Sequence, residues 1–150
     1  MSGPNVRRGI DAALYRNLGT YAAPNWSEVG NLRDVTVNME KDEADATTRE
    51  NNGWAASVGT LKKGSVDGQL AVKKTADAHF AAFRDSYENS TPIELLILNG
   101  PIDEVGVTGR RATFECMSFT ENQPMTDIQT ADVSLKIAPS DHAPEEYEVT

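Results

Sequence analysis

The middle of the chain passes from a regular strand pattern into an unusually long polar segment. Over residues 33–40 apolar residues alternate with polar ones, which predicts a strand with one apolar face. Residues 41–53 then contain no apolar side chain larger than alanine, and the segment ends at Trp54. Hairpin loops in compact domains usually span about two to five residues. The sequence therefore predicts a long inter-strand loop at about 41–53 that reaches a partner, most simply another copy of the chain.

Short strand patterns recur along the rest of the chain, and one segment has helical spacing. The helix is predicted over residues 76–88, where Thr75 supplies an N-cap and Phe80, Phe83 and Tyr87 fall on one face. The predicted strands cover residues 13–18, 26–29, 33–40, 55–61, 66–73, 93–98, 111–120 and 127–137, and a turn is predicted at residues 62–64. This set predicts a mainly β fold with one flanking helix, arranged as an antiparallel β-sandwich or partly open barrel.

Length and composition favour one globular domain. The chain has 150 residues, of which 39% are apolar and 25% charged, which suffices for a core. No apolar run approaches the roughly 20 residues that cross a bilayer, and the first residues lack the apolar stretch of a secretory signal. We therefore expect no membrane partner. The single cysteine, Cys116, leaves no internal disulfide and indicates a reducing cytoplasm.

The balance of charge argues against a protein that grips nucleic acid. The chain has 14 lysines and arginines against 23 acidic residues, a net charge of −9, whereas phosphate binding needs clustered cations. Charge is also uneven along the chain. We expect one domain over residues 1–138, in which the N-terminal arm (residues 1–11) carries Arg7 and Arg8. The C-terminal tail (residues 139–150) is acidic, so arm and tail are placed to pair between subunits.

No pattern of catalytic or cofactor chemistry is found in the sequence. His79 and His142 have no partner at metal-ligand spacing and are interpreted as surface histidines. Cys116 alternates with an apolar residue in a strand and is interpreted as a small core residue. We therefore predict no cofactor, no metal and no enzymatic activity.

Two other interpretations of the residues stay open. A monomeric binding module would present Tyr15, Trp26 and Trp54 as an exposed aromatic platform. A small enzyme would use Cys116 or a pair of acids, although no local motif supports it.

The order of these features resembles the major tail proteins of long-tailed, non-contractile bacteriophages, which are tail tube proteins. The residues that carry the resemblance are Asp11-Ala-Ala-Leu-Tyr15, Trp26, Val29, Gly30-Asn-Leu-Arg-Asp34, Asp45-Ala-Thr-Thr-Arg49, Gly53-Trp54, a helix from Asp77 to Asp85, Gly109-Arg-Arg111 and Val133-Ser-Leu-Lys-Ile137. The resemblance covers roughly residues 11–138. Its most specific part is the Asp-x-Thr-Thr-Arg segment before Gly-Trp.

The resemblance implies that six-membered rings of the protein stack into a hollow tube, with the inner sheets lining the lumen. It implies that the loop at about 41–53 reaches the adjacent ring, and that arm and tail add contacts. The implied partners are further copies of the chain, a tape-measure protein, tail terminator and distal tail proteins, with DNA as cargo that is not bound. An acidic lumen would repel the phosphate backbone.

The implied location is the virion tail, after a period in the host cytoplasm before assembly. The inner tubes of contractile tails and of secretion machines are the alternative within the same fold. The residues that we predict at subunit interfaces are Arg7, Arg8, Asp42, Asp45, Thr47, Thr48, Arg49 and Trp54.

Overall fold

Eight strands and one α-helix make up the main regular structure of residues 6–150, the part of the chain that the computed structural model describes. The elements are β1 (Ala13–Asn17), β2 (Trp26–Glu28), β3 (Leu32–Asp45), β4 (Ser57–Ala71), α1 (Ala78–Asn89), β5 (Ile93–Leu98), β6 (Thr108–Asn122), β7 (Thr130–Ile137) and β8 (Glu145–Glu148). Two short 3-10 turns, Gly9–Asp11 and Arg49–Asn51, lie outside the sheet.

The strands form one antiparallel sheet in the order β2-β1-β5-β6-β7-β4-β3, with β8 added beside β6. Strand β6 organises it, because its first half pairs with β5 and β8 while its second half pairs with β7. β2 and β3 end the order and do not pair with each other, so the sheet is not closed. The predicted class, mainly β and antiparallel with one flanking helix, is confirmed.

Strand β5 is apolar at nearly every position because both of its faces are buried. Leu95 faces the main core, where it packs among residues of β4, β6 and β7 and Phe83 of α1. Leu96 and Leu98 face a second cluster that includes Tyr15. Burying one such leucine side chain stabilises the fold by about 1.5–3 kcal/mol. The prediction of a buried strand here is confirmed with the same bounds.

Helix α1 packs over the second half of β6. Its N-cap is Asp77, whose carboxylate accepts a hydrogen bond from the backbone N–H of His79 at 3.1 Å. The helix therefore begins two residues later than predicted, and Thr75 is not its cap. The buried hydroxyl of Ser86 accepts a hydrogen bond from the backbone N–H of Cys116 at 3.0 Å, beside a β-bulge in β6.

The largest departure from the sequence prediction lies in the β3–β4 hairpin. β3 continues to Asp45, so the first five residues of the predicted 41–53 loop are strand, and β4 runs without interruption through the predicted turn. Lys41 pairs with Lys62 in this ladder. Because the outer hairpin is exposed on both sides, polar residues occupy both faces and no apolar alternation marks the strands. The loop that remains is residues 46–56.

The C-terminal segment also differs from the predicted acidic tail. Within residues 139–150, Glu145–Glu148 forms β8, which places Glu145 opposite Arg111 in the ladder with β6. Tyr147 packs against the second cluster. Opposite charges on paired strands attract each other. Glu145 and Glu146 therefore lie opposite Arg111 and Arg110 of the chain's own β6.

Candidate assembly surface

The outer half of the β3–β4 hairpin stands clear of the rest of the sheet. β4 pairs with β7 over residues 65–71, whereas over residues 57–64 it pairs only with β3 among the described strands. One exposed ion pair crosses this part, with Lys63 Nζ 3.2 Å from the carboxylate of Asp42. An isolated two-stranded ribbon is marginally stable in water. Here the ladder continues from a packed body, which holds the tip of the hairpin away from that body.

The base of the hairpin carries a row of half-exposed apolar side chains at the edge of the sheet. Val35, Val37 and Met39 lie on β3 opposite residues that include Val66 of the main core, so they share the core-facing side. Their exposed fractions are 36 to 41%. An edge strand presents unpaired backbone groups, and exposed apolar rows mark surfaces that another molecule covers. This apolar row (residues 35, 37 and 39) is therefore a candidate subunit contact.

The opposite face of the same strands is polar throughout. This polar face consists of Asp34, Thr36, Asn38 and Glu40 on β3, Lys63, Ser65, Asp67 and Gln69 on β4, and Asp132, Ser134 and Lys136 on β7. A shallow depression of about 300 Å³ lies among its three aspartates. Four carboxylates thus accompany two ammonium groups, and the polar face has an excess of negative charge.

The tip of the hairpin, residues 46–56, is held by its own hydrogen bonds. The backbone N–H of Thr47 donates to the carboxylate of Asp45 at 2.9 Å, and the hydroxyl of Thr47 accepts from the backbone N–H of Ala56 at 2.9 Å. Hydrogen bonds from the side chain and backbone of Thr47 lower the pKa of Asp45. The tip is therefore ordered by contacts within its own chain.

Six of the eight predicted interface residues lie on this hairpin. They are Asp42, Asp45, Thr47, Thr48, Arg49 and Trp54. Arg49 begins the short 3-10 turn, and Asn52 (φ 53°) and Gly53 (φ 81°) follow in the left-handed region. This reversal leaves Trp54 78% exposed. The structure thus brings these residues together at the far end of the hairpin.

Arg7 and Arg8 lie on the body and pair with acids of their own chain. Arg7 Nη1 is 3.4 Å from the carboxylate of Glu104, and Arg8 Nε is 3.0 Å from that of Asp11. The second pair raises the pKa of Arg8 and lowers the pKa of Asp11. Pairing of the basic arm with another subunit's tail stays a prediction, and the first five residues of that arm lie outside the described residues.

Sequence reasoning missed a buried arginine that fastens the C-terminal strand. The Arg111 side chain is 9% exposed, forms an ion pair with Glu94, and donates to the backbone carbonyl of Tyr21 at 2.7 Å. Its guanidinium also lies 4.0 Å from the centroid of the Tyr21 ring. The Tyr21 hydroxyl donates to Glu145 of β8 at 3.0 Å, which raises the pKa of Tyr21. The available signal was Glu94, a charge inside an otherwise apolar strand.

Of the two histidines that were predicted at the surface, His142 is exposed and His79 is not fully exposed. His79 is half-buried; its Nδ1 accepts a hydrogen bond from Arg16 at 3.0 Å, and its Nε2 lies 3.2 Å from the Ser27 hydroxyl. Burial first, and then the charge of Arg16, lowers the pKa of His79. His142 stacks on the Tyr21 ring with 3.5 Å between ring centroids. Both histidines therefore have structural contacts.

The aromatic platform of the binding-module interpretation is not formed. Tyr15 is buried, and its hydroxyl accepts a hydrogen bond from the backbone N–H of Ile102 at 3.2 Å. Trp26 is half-buried beneath Arg111, whose guanidinium lies 5.1 Å from the ring centroid. Only Trp54, at the hairpin tip, is fully presented to solvent. These three side chains thus do not share one exposed surface.

Cys116 also gives no support to nucleophilic chemistry. Its side chain is buried, and burial raises the pKa of the thiol, which disfavours the reactive thiolate. Within residues 6–150, no group of three or more His, Cys, Asp or Glu side chains is arranged to hold a metal ion. In the same residues no helix has the length and apolar character required to cross a bilayer.

Comparison with known proteins gives a family match and several similar folds. A family model described as "Phage tail tube protein" matches residues 8–140. The SPP1 tail tube is similar with a TM-score of 0.74, 13% identity, and coverage of 95% of this chain and 80% of the other. No match is found among curated protein sequences.

Two further solved structures show the same fold at low sequence identity. One is from the virion of a native gene transfer agent particle, with a TM-score of 0.68, 15% identity, and coverage of 90% of this chain and 96% of the other. The other is from the sheath-tube complex of an extracellular contractile injection system, with a TM-score of 0.65, 9% identity, and coverage of 97% and 93%.

Proposed function

Because the chain belongs to the phage tail tube protein family, we propose that its copies form six-membered rings that stack into a hollow tail tube, the conduit for DNA ejection into the host. The observation that carries this proposal is the apolar row of residues 35, 37 and 39 at the edge of the sheet. A tube subunit must add its sheet to that of a neighbour, and this edge combines unpaired backbone groups with apolar side chains. The tail of an empty gene transfer agent particle, which has a similar fold, was refined with C6 symmetry.

The polar face supports the assignment of this sheet surface to the lumen. When β3 pairs with a neighbouring subunit, the apolar row turns toward the wall of the ring and the polar face turns toward its centre. Repeated around a ring, its excess of carboxylates gives a negative surface. Like charge keeps the phosphate backbone from adhering while DNA moves through. DNA is then cargo that passes without being bound.

The proposal also covers the life cycle of the protein. In the host cytoplasm before assembly the chain would form rings, which would stack on a tape-measure protein between tail terminator and distal tail proteins. In the virion it would form the wall of the tail. The internal hydrogen bonds of the hairpin tip support this sequence of events, because they order the tip before any partner is present.

Similarity to a contractile system gives the second candidate within the same fold. The extracellular contractile injection system contains a sheath around its tube, and its fold matches this chain over 97% of its length. An inner tube of that kind would use the same edge and hairpin contacts but would also contact a sheath on its outer surface. Electron microscopy of purified particles that contain this chain distinguishes a bare tube from a sheathed one.

The first experiment is negative-stain electron microscopy of the purified chain, with two variants on adjacent residues of β3. Val37→Lys places a charge on the apolar row, and Asn38→Lys places the same charge on the polar face. We expect rings or tubes from the unmodified chain and from Asn38→Lys, and none from Val37→Lys. Equal assembly of both variants would contradict the role of the apolar row.

The hairpin is tested by replacing residues 41–62 with Asn-Gly, which joins the paired residues Glu40 and Lys63 by a two-residue turn. We expect a folded protein that forms rings but does not stack them. Met125→Ser, at a fully exposed position in the connection between β6 and β7, is the control. Tubes of ordinary length from the shortened hairpin would remove the proposed stacking role.

A further inference from the structure

The tip of the hairpin and the strand below it expose large apolar side chains that the rest of the chain does not cover. Trp54 is 78% exposed, and Leu61 and Val58, on β4 below it, are 72% and 53% exposed. An aromatic side chain buries about 150–250 Å² when it docks, and tryptophan is enriched among residues that dominate binding energy. A tryptophan held at the end of the hairpin is therefore suited to insert into a complementary cavity.

A cavity of suitable size lies at the other end of the same hairpin. The cleft, about 900 Å³ in volume, opens between the segment before β1 and the beginning of β3. Its apolar walls include Ile10, Leu14, Val29, Leu32 and Ile97. Clefts of roughly 300–1,000 Å³ accommodate organic ligands of drug size, so an indole with its flanking chain has room to enter.

Charges around the cleft complement charges at the tip. Glu28 and Arg33 are exposed lining residues of the cleft, while the tip carries Arg49 and Glu50 in its exposed 3-10 turn. Each site therefore offers both an acid and an arginine. Arginine–carboxylate pairs are directional because the guanidinium binds a carboxylate through two parallel hydrogen bonds. Such pairs would fix the orientation of an inserted tryptophan.

A hairpin tip does not reach the cleft of its own chain. β3 rises about 3.3 Å per residue, so Asp45 lies roughly 30 Å along the strand from Thr36 at the cleft. The ladder with β4 keeps β3 extended between these two points. Contact between tip and cleft is thus a contact between two copies. Because the two surfaces differ, it is head-to-tail, the type of contact that builds open stacks.

We propose that Trp54 of each subunit docks in the cleft between the segment before β1 and the start of β3 of a copy in the next ring. This inference rests on the proposed function and deepens it, because it names the side chain and the cleft that join successive rings. A second copy is the occupant that the reach of the hairpin, the size of the cleft and the paired charges favour.

The contact is tested directly by photo-cross-linking in assembled tubes. A benzophenone amino acid replaces Trp54, and tubes are formed from a mixture of 15N-labelled and unlabelled chains. We expect cross-linked peptides of mixed isotopic content that contain residues 9–14 or 28–36. Cross-links to peptides elsewhere in a neighbouring copy, cross-links within one chain, or none at all would each overturn the docking.

A variant in the cleft provides a test that matches the substitution of Trp54. Gly30 lines the cleft, and a Cβ built on it meets no atom within 4 Å. Gly30→Phe therefore fills the cleft without displacing the fold. We expect it, like Trp54→Ala, to raise the protein concentration needed for tubes by at least about tenfold, with an unchanged melting temperature. Ala22→Phe, an equally exposed site outside the cleft, is the control.

The outcomes separate the two proposals. Failure of the unmodified chain to form any ring or tube would overturn the proposed function, and this inference with it. Tubes that form normally from Trp54→Ala, or from Gly30→Phe, would overturn the docking alone and leave the tube intact.

Discussion

Strand β5 and the outer half of the β3–β4 hairpin use the same antiparallel ladder but are stabilised in different ways. β5 is buried on both faces, and its leucines join two clusters of the body. The outer hairpin is exposed on both faces and has one exposed ion pair across it. The first region holds the monomer together through burial. The second contributes little to folding, and its exposed apolar residues are the ones that the proposed contacts with another copy would cover.

The strongest test of this comparison removes one large side chain from each region. Phe83 is buried in the main core, and we expect Phe83→Ala to lower the free energy of unfolding by about 3–5 kcal/mol because the substitution leaves a cavity. Leu61→Ala in the outer hairpin is expected to change the free energy of unfolding by less than about 0.5 kcal/mol. Urea unfolding of both variants measures the difference. Comparable losses would show that the hairpin is part of the folding core.

The second test compares a buried ion pair with an exposed one. Arg111→Met leaves Glu94 without its cation, and we expect a loss of about 3 kcal/mol, near the lower limit for a broken buried pair. We expect the lower end of that range because the Asn17 amide still donates a hydrogen bond to the Glu94 carboxylate at 3.0 Å. Lys63→Met at the hairpin removes a pair that is exposed on both sides, with an expected cost of about 0–1 kcal/mol. Thermal denaturation of the two variants orders these effects, and a larger loss from Lys63→Met would contradict the comparison.

A third test uses pH to loosen the body and leave the hairpin unchanged. The pKa of His79 is lowered in the folded state by burial and by Arg16, so folding favours the neutral ring. The stabilisation is therefore present above the unfolded-state pKa of about 6.5 and is lost as pH falls below it. We expect His79→Gln to melt with a weaker dependence on pH between 7.5 and 5.5 than the unmodified chain. If the melting temperatures of the two proteins depend on pH in the same way, His79 is not the source of the pH dependence.

The smallest expected effect concerns order within the hairpin tip. Asp45→Ala removes the acceptor of the Thr47 backbone N–H, so hydrogen exchange of that amide should become faster while the melting temperature stays the same. The pKa of Asp45 is lowered by the same contact, so in the unmodified chain the bond is present at neutral pH and weakens as acidification protonates the carboxylate. Unchanged exchange at Thr47 in the variant would show that other contacts order the tip.

Prediction from sequence succeeded where burial is local and regular. The continuous apolar run of β5 indicated burial on both faces, and the helix followed from aromatic spacing, although its cap is Asp77 and not the predicted Thr75. The strand predicted at 55–61 lies largely within β4, but the loop predicted at 41–45 and the turn predicted at 62–64 were wrong, because residues exposed on both faces carry no period. It also missed β8, since four residues rich in glutamate become a strand only beside the arginines of β6.

The candidate surface divides in the same way. The sequence identified the polar segment and Trp54 as unusual, and the structure places them together at the tip. It gave no indication of the cleft, because that cavity is formed by segments before β1 and at the start of β3 that meet only when the sheet curls. Arg7 and Arg8 were predicted to pair with another subunit's acidic tail, and within their own chain they pair with Glu104 and Asp11.

By itself, the sequence determined which segments must be buried, where the helix lies, and that the protein carries excess negative charge. These properties depend on local composition and spacing, which a single chain displays directly. The tertiary structure alone decided how far the hairpin extends, which residues share its polar face, and where Arg111 and β8 meet. Those properties depend on cross-strand register, and register is fixed by contacts between residues far apart in the chain.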